Sequence, residues 1–250
     1  MPHIAPPAHY DGDPNRYLLR RGTCLWRVHA SGRPASAFNP HPVDTLFGGA
    51  RFDATATHEY PFYYAGLDEE TALAEALLRD VAPDDHGTRV LPRVAAQDRR
   101  ISGLAVTSDL TLVSLISGAD LGAIGQDAWL VTAGGGEYAQ TRGWAHWLRG
   151  QAEWACGFAW PSLRNMGGTA IILFGDRCAA AFGKDYEQTL LHDIPPLAVN
   201  LGDKAGADWL TERLKALRVG IAPPEPTSPE PADLTVPMPA RPRRRRGPAR

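Results

Sequence analysis

No stretch of the 250 residues approaches the roughly 18 consecutive apolar positions of a membrane-spanning helix. The N-terminal run MPHIAPPAHYDGDPNRYLLRRG has no apolar core of the kind a secretion signal carries. Cysteine is scarce. Cys24, Cys156 and Cys178 are odd in number, far apart in sequence, and form no CxxC pair. That excludes a disulfide framework from spacing alone and sets a reducing cytoplasm as the expected compartment.

The familiar chemical motifs are missing as well. There is no GxxxxGK[ST], so no phosphate-cradling P-loop is expected. The run Gly134-Gly135-Gly136 is not a GxGxxG that follows a strand and opens a helix, which leaves a Rossmann nucleotide site unsupported. The eight histidines are scattered, without HExxH or a Cys/His cluster, so no metal is expected. Ser162 lies in WPSLR rather than GxSxG, which argues against a hydrolase nucleophile elbow. An enzyme built from this chain would work by placing charge.

What the chain does have is a sizeable apolar fraction, 44% against 22% charged, enough for one large core. Proline is concentrated at one end. Residues 221–250 hold nine prolines, six arginines and three acids, a net charge of +3. The whole chain is −2, so the rest carries about −5, which argues against a nucleic-acid-binding body. The expected organisation is an irregular extension over 1–20, one domain over 21–220, and a disordered Pro/Arg-rich tail over 221–250. The run Arg243–Arg246 reads as a solvated tail first and as an arm for an acidic partner second.

Thr23 to Val28 alternates as a strand, residues 30–60 read as loops, and PFYYAG as an aromatic strand ending at Gly66. Asp68 is placed to cap a helix with Glu69 and Glu70 in its first turn, Leu73 and Leu77 as its apolar stripe, and Pro83 as its stop. Further strands are expected over 88–94, 110–116, CGFAWPS, TAIILF and LAVNL. A helix is expected over 138–149, weakened at Gly143, and an amphipathic one over 205–218. Trp144, Trp147, Trp154 and Trp160 read as core. Strands and helices mix without a βαβ rhythm, so the expected class is α+β, with mixed or antiparallel sheets and flanking helices.

Four segments, in this order, resemble the RES family, named for its Arg, Glu and Ser. LWRVH carries Arg27. GGARFD carries Arg51, with an Ala inserted before it and Phe52 where the family has Trp. FYYAGLDEETALAE carries Tyr64 and Glu75. GFAWPSLRNMGGTAIILF carries Ser162 and Arg164. The resemblance spans roughly residues 23–180. It implies a fold similar to ADP-ribosyltransferase toxins and breakdown of NAD, by phosphate-dependent cleavage in some members and by ADP-ribose transfer to protein in others. It also implies a toxin role, with an adjacent Xre-like antitoxin as partner.

With NAD as the implied substrate, each residue has a chemical task. Arg27 and Arg51 suit the diphosphate, because guanidinium forks grip phosphate oxygens bidentately; one of them would alternatively hold an attacking inorganic phosphate. Tyr64 offers a flat face to the nicotinamide or adenine ring. Glu75 suits a ribose hydroxyl, or the cationic charge that develops as the glycosidic bond breaks. Ser162 offers a hydrogen bond to phosphate or ribose, and Arg164 a second grip on the anion. The expected catalytic set is Arg27, Glu75 and Ser162, with Arg51, Tyr64 and Arg164 as binding residues; Tyr138 and Gln140 lie within possible reach. Each also has a plainer reading: an edge charge for Arg27, a loop charge for Arg51, core for Tyr64, surface for Glu75 and a turn residue for Ser162. An NAD-degrading enzyme leads. An ADP-ribosyltransferase and a non-catalytic nucleotide- or partner-binding module are the alternatives.

Overall fold

The computed structural model describes residues 4–46, 48–79 and 81–223. One eight-stranded sheet organises the chain. Its strands are β1 (Arg16–Leu19), β2 (Cys24–Ala30), β3 (Phe62–Gly66), β5 (Arg99–Val106), β6 (Leu110–Ser114), β7 (Gly157–Pro161), β8 (Thr169–Phe174) and β9 (Leu191–Asn200). They run in the order β1-β6-β7-β8-β3-β2-β5-β9, antiparallel throughout except for the parallel β6–β7 pair. β4 (Arg89–Leu91) pairs in parallel with β10 (Val219–Ile221) in a separate small sheet. The helices are α1 (Glu69–Leu77), α2 (Gly118–Ala123), α3 (Trp129–Thr132), α4 (Tyr138–Gln151), α5 (Gly175–Phe182), α6 (Tyr186–Thr189) and α7 (Lys204–Leu214). The architecture is α+β with a mixed, mostly antiparallel sheet, as the sequence pattern led one to expect. Among the described residues no helix is long and apolar enough to cross a membrane.

Strand alternation divides the apolar residues between the two faces of the sheet. Phe62 and Tyr64 of β3, Phe158 and Trp160 of β7, and Ile172 and Phe174 of β8 meet Trp144 and Leu148 of α4 on one side. Tyr63, Ala159, Ile171 and Leu173 face the other. A third cluster joins Leu73 and Leu77 of α1 to Leu210 and Leu214 of α7 over Ile101 of β5. β8 reads as a continuous apolar run because both of its faces are covered.

One feature of the sheet positions the site. β2 pairs with β5 over seven residues and β3 with β8 over five, but β2 meets β3 only at Trp26 and Gly66. Beyond that point the two strands diverge. α1 closes over the junction, and a Cβ on Gly66 would lie 2.7 Å from the Ala72 backbone nitrogen. Only glycine allows the helix to start this close to the strand.

Several expectations need correction. β1 falls inside the supposed irregular extension, because Arg16 to Leu19 pair with Leu110 to Val113. Ile221 is still in β10, so the tail begins later than 221; residues 224–250, with the expected disorder and the arginine run, lie outside the described residues. α1 ends at Leu77, not at Pro83. Its last turn closes when the Leu78 backbone N–H reaches the Ala74 carbonyl, and Leu77 and Leu78 are both buried as the chain turns away. α4 runs unbroken through Gly143, since burial of Arg142, Trp144, Ala145 and Leu148 outweighs the roughly 1 kcal/mol that glycine costs in a helix. β5 is a strand where none was read, and LAVNL is only the end of the ten-residue β9. Cys156 and Cys178, distant in sequence, are both buried free thiols.

On α4, His146 stacks on His58 with ring centroids 4.5 Å apart, and its Nε2 shares a hydrogen bond with Thr55 Oγ1. Its Nδ1 is buried without a partner. Burial, followed by the charges of His58, Arg149 and Arg142, pushes its pKa down to about 4. The unfolded chain binds this proton near pH 6.5. Between those values the unfolded state holds more protons, so stability falls as pH drops from about 6.5 towards 4. The contribution is about 1–2 kcal/mol once solvent screening at this half-buried position is allowed for. Urea denaturation at a series of pH values should show His146→Gln with a flatter acid limb than the wild type; identical limbs would contradict the assignment.

Candidate active site

A cavity of about 300 Å³ occupies the gap between β2 and β3 and is roofed by α1. Its walls bring together Arg27 of β2, Arg51 from the loop before β3, Tyr64 of β3 and Glu75 of α1. Arg79, Arg99, Tyr138 and Trp160 also line it. Four guanidinium groups therefore face one carboxylate, and no histidine is among the lining residues.

Glu75 stands in the second turn of a helix whose start is fixed by Asp68. The Asp68 carboxylate accepts from the Thr71 backbone N–H at 2.6 Å and from its hydroxyl at 2.8 Å. Ser162, 1% exposed, donates its hydroxyl to Glu75 Oε1 at 2.7 Å. The same Oγ accepts from the backbone N–H groups of Asn165 at 3.0 Å and Arg164 at 3.3 Å. With both lone pairs engaged, the hydroxyl proton is left to point at the carboxylate. Asn165 Nδ2 in turn donates to Thr71 Oγ1 at 3.0 Å and Asp68 Oδ1 at 3.3 Å, tying the 162–168 loop to the start of α1. Ser162 does not line the cavity, so its place is behind Glu75, holding one oxygen and leaving the other to face a ligand.

Of the two predicted arginines, Arg51 is buried and Arg27 half-buried, and they differ in their ties. Arg27 Nη1 donates to the Ala35 carbonyl at 3.0 Å and also to the Ala37 carbonyl, and its guanidinium lies 4.2 Å from the Tyr63 ring centroid. It therefore forms the cavity floor while clamping the loop after β2. Arg51 is 6% exposed; its Nη2 donates to the Ala133 carbonyl at 3.0 Å and its Nε has no partner. Among the described residues neither has a carboxylate within ion-pair distance. Burial lowers the pKa of both from the usual arginine range. They nonetheless remain charged, since the ordinary value is so high.

The GGARFD segment is held by a residue that the sequence did not flag. Arg142, 2% exposed, reaches back from α4 and donates to the carbonyls of Thr45 at 2.8 Å, Ala50 at 3.2 Å and Gly48. Asp53 accepts from the Ala50 backbone N–H at 2.6 Å. Gly49 has φ +69°, and a Cβ there would lie 2.7 Å from both Arg142 Nη2 and Asp53 Oδ2, so the turn requires glycine. Tyr64 is anchored to the same segment: its hydroxyl accepts from the Phe52 N–H at 3.1 Å. Burial, then the Asp53 charge, raises this phenol well above its ordinary range, so it stays neutral and offers the cavity its ring.

Of the remaining expectations, Arg164 is exposed and lies in a recess beside the cavity rather than in it. Its Nη2 donates to the Arg79 carbonyl at 2.7 Å. Tyr138 lines the cavity and Gln140 does not. Arg79, missed in the sequence, lies four residues after Glu75, just past the end of α1; it donates to the Gly49 carbonyl at 2.6 Å. That spacing was the available signal. Among the described residues no group of His, Cys, Asp and Glu is placed to hold a metal ion.

No curated relative matches the chain. Among solved structures, it is similar to a chain of the M. tuberculosis MbcT–MbcA toxin–antitoxin complex, at 16% identity and TM-score 0.49, over 80% of this chain and 92% of that one. The family model described as RES domain matches residues 24–196, from the first residue of β2 into β9 and across every segment that supplies the cavity's charged groups. The chain belongs to the RES domain family.

Proposed function

We propose that the chain cleaves the nicotinamide–ribose bond of NAD. The observation that carries this reading is a single carboxylate, held on one oxygen by Ser162, facing arginines, Arg51 of them buried, that have no carboxylate counter-ion among the described residues. A buried cation without an acidic neighbour favours an anionic ligand. Phosphate groups supply that anion, and the lone carboxylate suits the positive charge that builds on a ribose as its glycosidic bond breaks.

Arg51, with Arg27 at the floor, grips the phosphates. The Tyr64 ring and the Trp160 edge form an aromatic wall for a flat ring. The cavity volume is at the low end for ligand pockets, about 300–1,000 Å³, and fits one nucleotide half. An apolar groove formed by Leu77, Val81, Pro92 and Ala95 adjoins it, sharing Arg79 and Arg99 as common walls, and would take the other half. Glu75 Oε2 bonds a ribose hydroxyl and stabilises the oxocarbenium-like state. Nicotinamide keeps the bonding electron pair and leaves neutral, so no general acid is required at the leaving group. Water or phosphate attacks C1″ of the nicotinamide ribose, and the proton released goes to Glu75 or solvent.

The same reading makes the chain the toxin of a toxin–antitoxin pair whose partner is an Xre-like protein, as its family resemblance implies. The direct test is to incubate the purified chain with NAD, with and without inorganic phosphate, and to identify the products. Nicotinamide with ADP-ribose-1″-phosphate indicates phosphorolysis, and nicotinamide with ADP-ribose indicates hydrolysis. Label carried onto protein would move the assignment to ADP-ribosyl transfer. Intact NAD after prolonged incubation would end the enzymatic reading.

A further inference from the structure

A second cavity, of about 240 Å³, lies between β2, β5 and β9 and shares no lining residue with the first. Val28 and Ile101 pack towards α1, so the alternating His29 and Ser102 point to the other face of the sheet. β9 makes the room. Between the Ser102–Ala198 and Leu104–Asp193 pairs, β5 has one residue and β9 has four, so β9 bows away. The floor is a buried polar pair, with His29 Nε2 at 3.0 Å from Ser102 Oγ. His29 Nδ1 lies 3.0 Å from the Ala30 carbonyl, which only accepts. Nδ1 therefore carries the proton, Ser102 donates to Nε2, and the lone pairs of Ser102 are left for another donor. Burial holds the His29 pKa below its ordinary value, so the pair is neutral. Arg33, Arg100 and Asp193 charge the rim, and Pro34, Ala35 and Ile194 give an apolar strip. Among the described residues none of the three charges has an ion pair. Ala35 also gives its carbonyl to Arg27 Nη1 at 3.0 Å, so one loop touches both cavities.

We propose that this cavity is a second ligand site, for a small carboxylate that also carries a hydrogen-bond donor, and that Ala35 links its occupancy to Arg27. Two guanidinium groups against one carboxylate select an anion, and their planar forks match a carboxylate. The strip takes an apolar body, and Ser102 or Asp193 accepts the donor at its far end. The volume is below the usual range for ligand pockets, about 300–1,000 Å³, which limits the body to one ring or a short chain. Binding here does not depend on NAD cleavage.

The test titrates the full chain by calorimetry with 4-hydroxybenzoate, benzoate and 4-hydroxybenzamide. The neutral amide should bind about 10-fold more weakly than 4-hydroxybenzoate, the size of a lost charge-assisted contact, and benzoate about threefold more weakly. Arg100→Gln and Arg33→Gln should each weaken 4-hydroxybenzoate about 10-fold, with the melting temperature held within about 2 °C because both side chains are exposed. Glu75→Gln, in the first cavity, should leave this affinity unchanged. Equal binding of acid and amide, or wild-type affinity in both arginine variants, would overturn the site. So would sulfate competing as well as 4-hydroxybenzoate, since that needs only two surface charges. The link is read in Arg27→Gln, which releases the Ala35 carbonyl and should weaken 4-hydroxybenzoate about threefold or more; unchanged affinity would overturn it. A chain that binds 4-hydroxybenzoate through Arg100 yet leaves NAD intact would refute the proposed function and leave this site standing.

Discussion

Glu75→Gln should lower the rate of nicotinamide release about 10²–10³-fold while leaving NAD affinity within about threefold of wild type. The amide is isosteric, and its oxygen still accepts from Ser162 at the 2.7 Å position, so helix α1 and the 162–168 loop keep their geometry. What is lost is the negative charge facing the ribose, which matters most when the sugar is cationic. That is the signature of a group acting on the transition state: kcat falls and KM does not. Ser162→Ala should give the smaller effect, about 10-fold in kcat, because the carboxylate keeps its charge and loses only its fixed direction. Rapid-quench measurement of nicotinamide, with equilibrium binding of NAD measured in parallel, separates the two. A Glu75→Gln protein that turns over like wild type would remove Glu75 from the chemistry. Equal losses in both variants, accompanied by weaker binding, would mean that the pair supports the fold instead.

The contrast between those two residues also shows what a sequence can reveal. The helix that carries Glu75 was legible because its neighbourhood is local: a strand ending in glycine, a capping Asp68 and an apolar stripe one turn apart mark it, although Glu75 itself read as a surface residue until the resemblance gave it a task. Ser162 was legible only through resemblance, since its meaning lies in an acceptor 87 residues away. Arg142 and Asn165 were invisible for the same reason. Their partners are backbone carbonyls or side chains nearly a hundred residues distant, and no periodicity encodes such a contact. Strand β5 escaped because Ile101 to Leu104 are buried consecutively, with sheet neighbours on both edges, and show no alternation to read. The α+β class survived these gaps because it depends on the order of elements rather than on any one boundary.

The second large effect concerns what carries the cavity's aromatic wall. Trp160→Ala should destabilise the protein by about 3–5 kcal/mol, and Trp160→Phe by no more than about 1. The indole is 2% exposed and meets Phe52 edge-on at 5.1 Å and Tyr64 at 6.1 Å. Alanine leaves a void that a central strand, paired with β8 on one side and β6 on the other, is poorly able to fill. Phenylalanine retains most of the packing and removes an Nε1–H that is buried with no partner, so relief of that unsatisfied donor offsets part of the lost contact. The loss in the alanine variant should not stay local. Phe52 carries the N–H that holds the Tyr64 hydroxyl, and it follows Arg51 directly, so a void beneath it loosens both the aromatic wall and the phosphate grip. Urea denaturation of the two variants, read with NAD affinity under fully native conditions, checks the link. Equal destabilisation by alanine and phenylalanine would show that the indole nitrogen is satisfied after all. A stable alanine variant with unchanged affinity would show that Trp160 does not support the site.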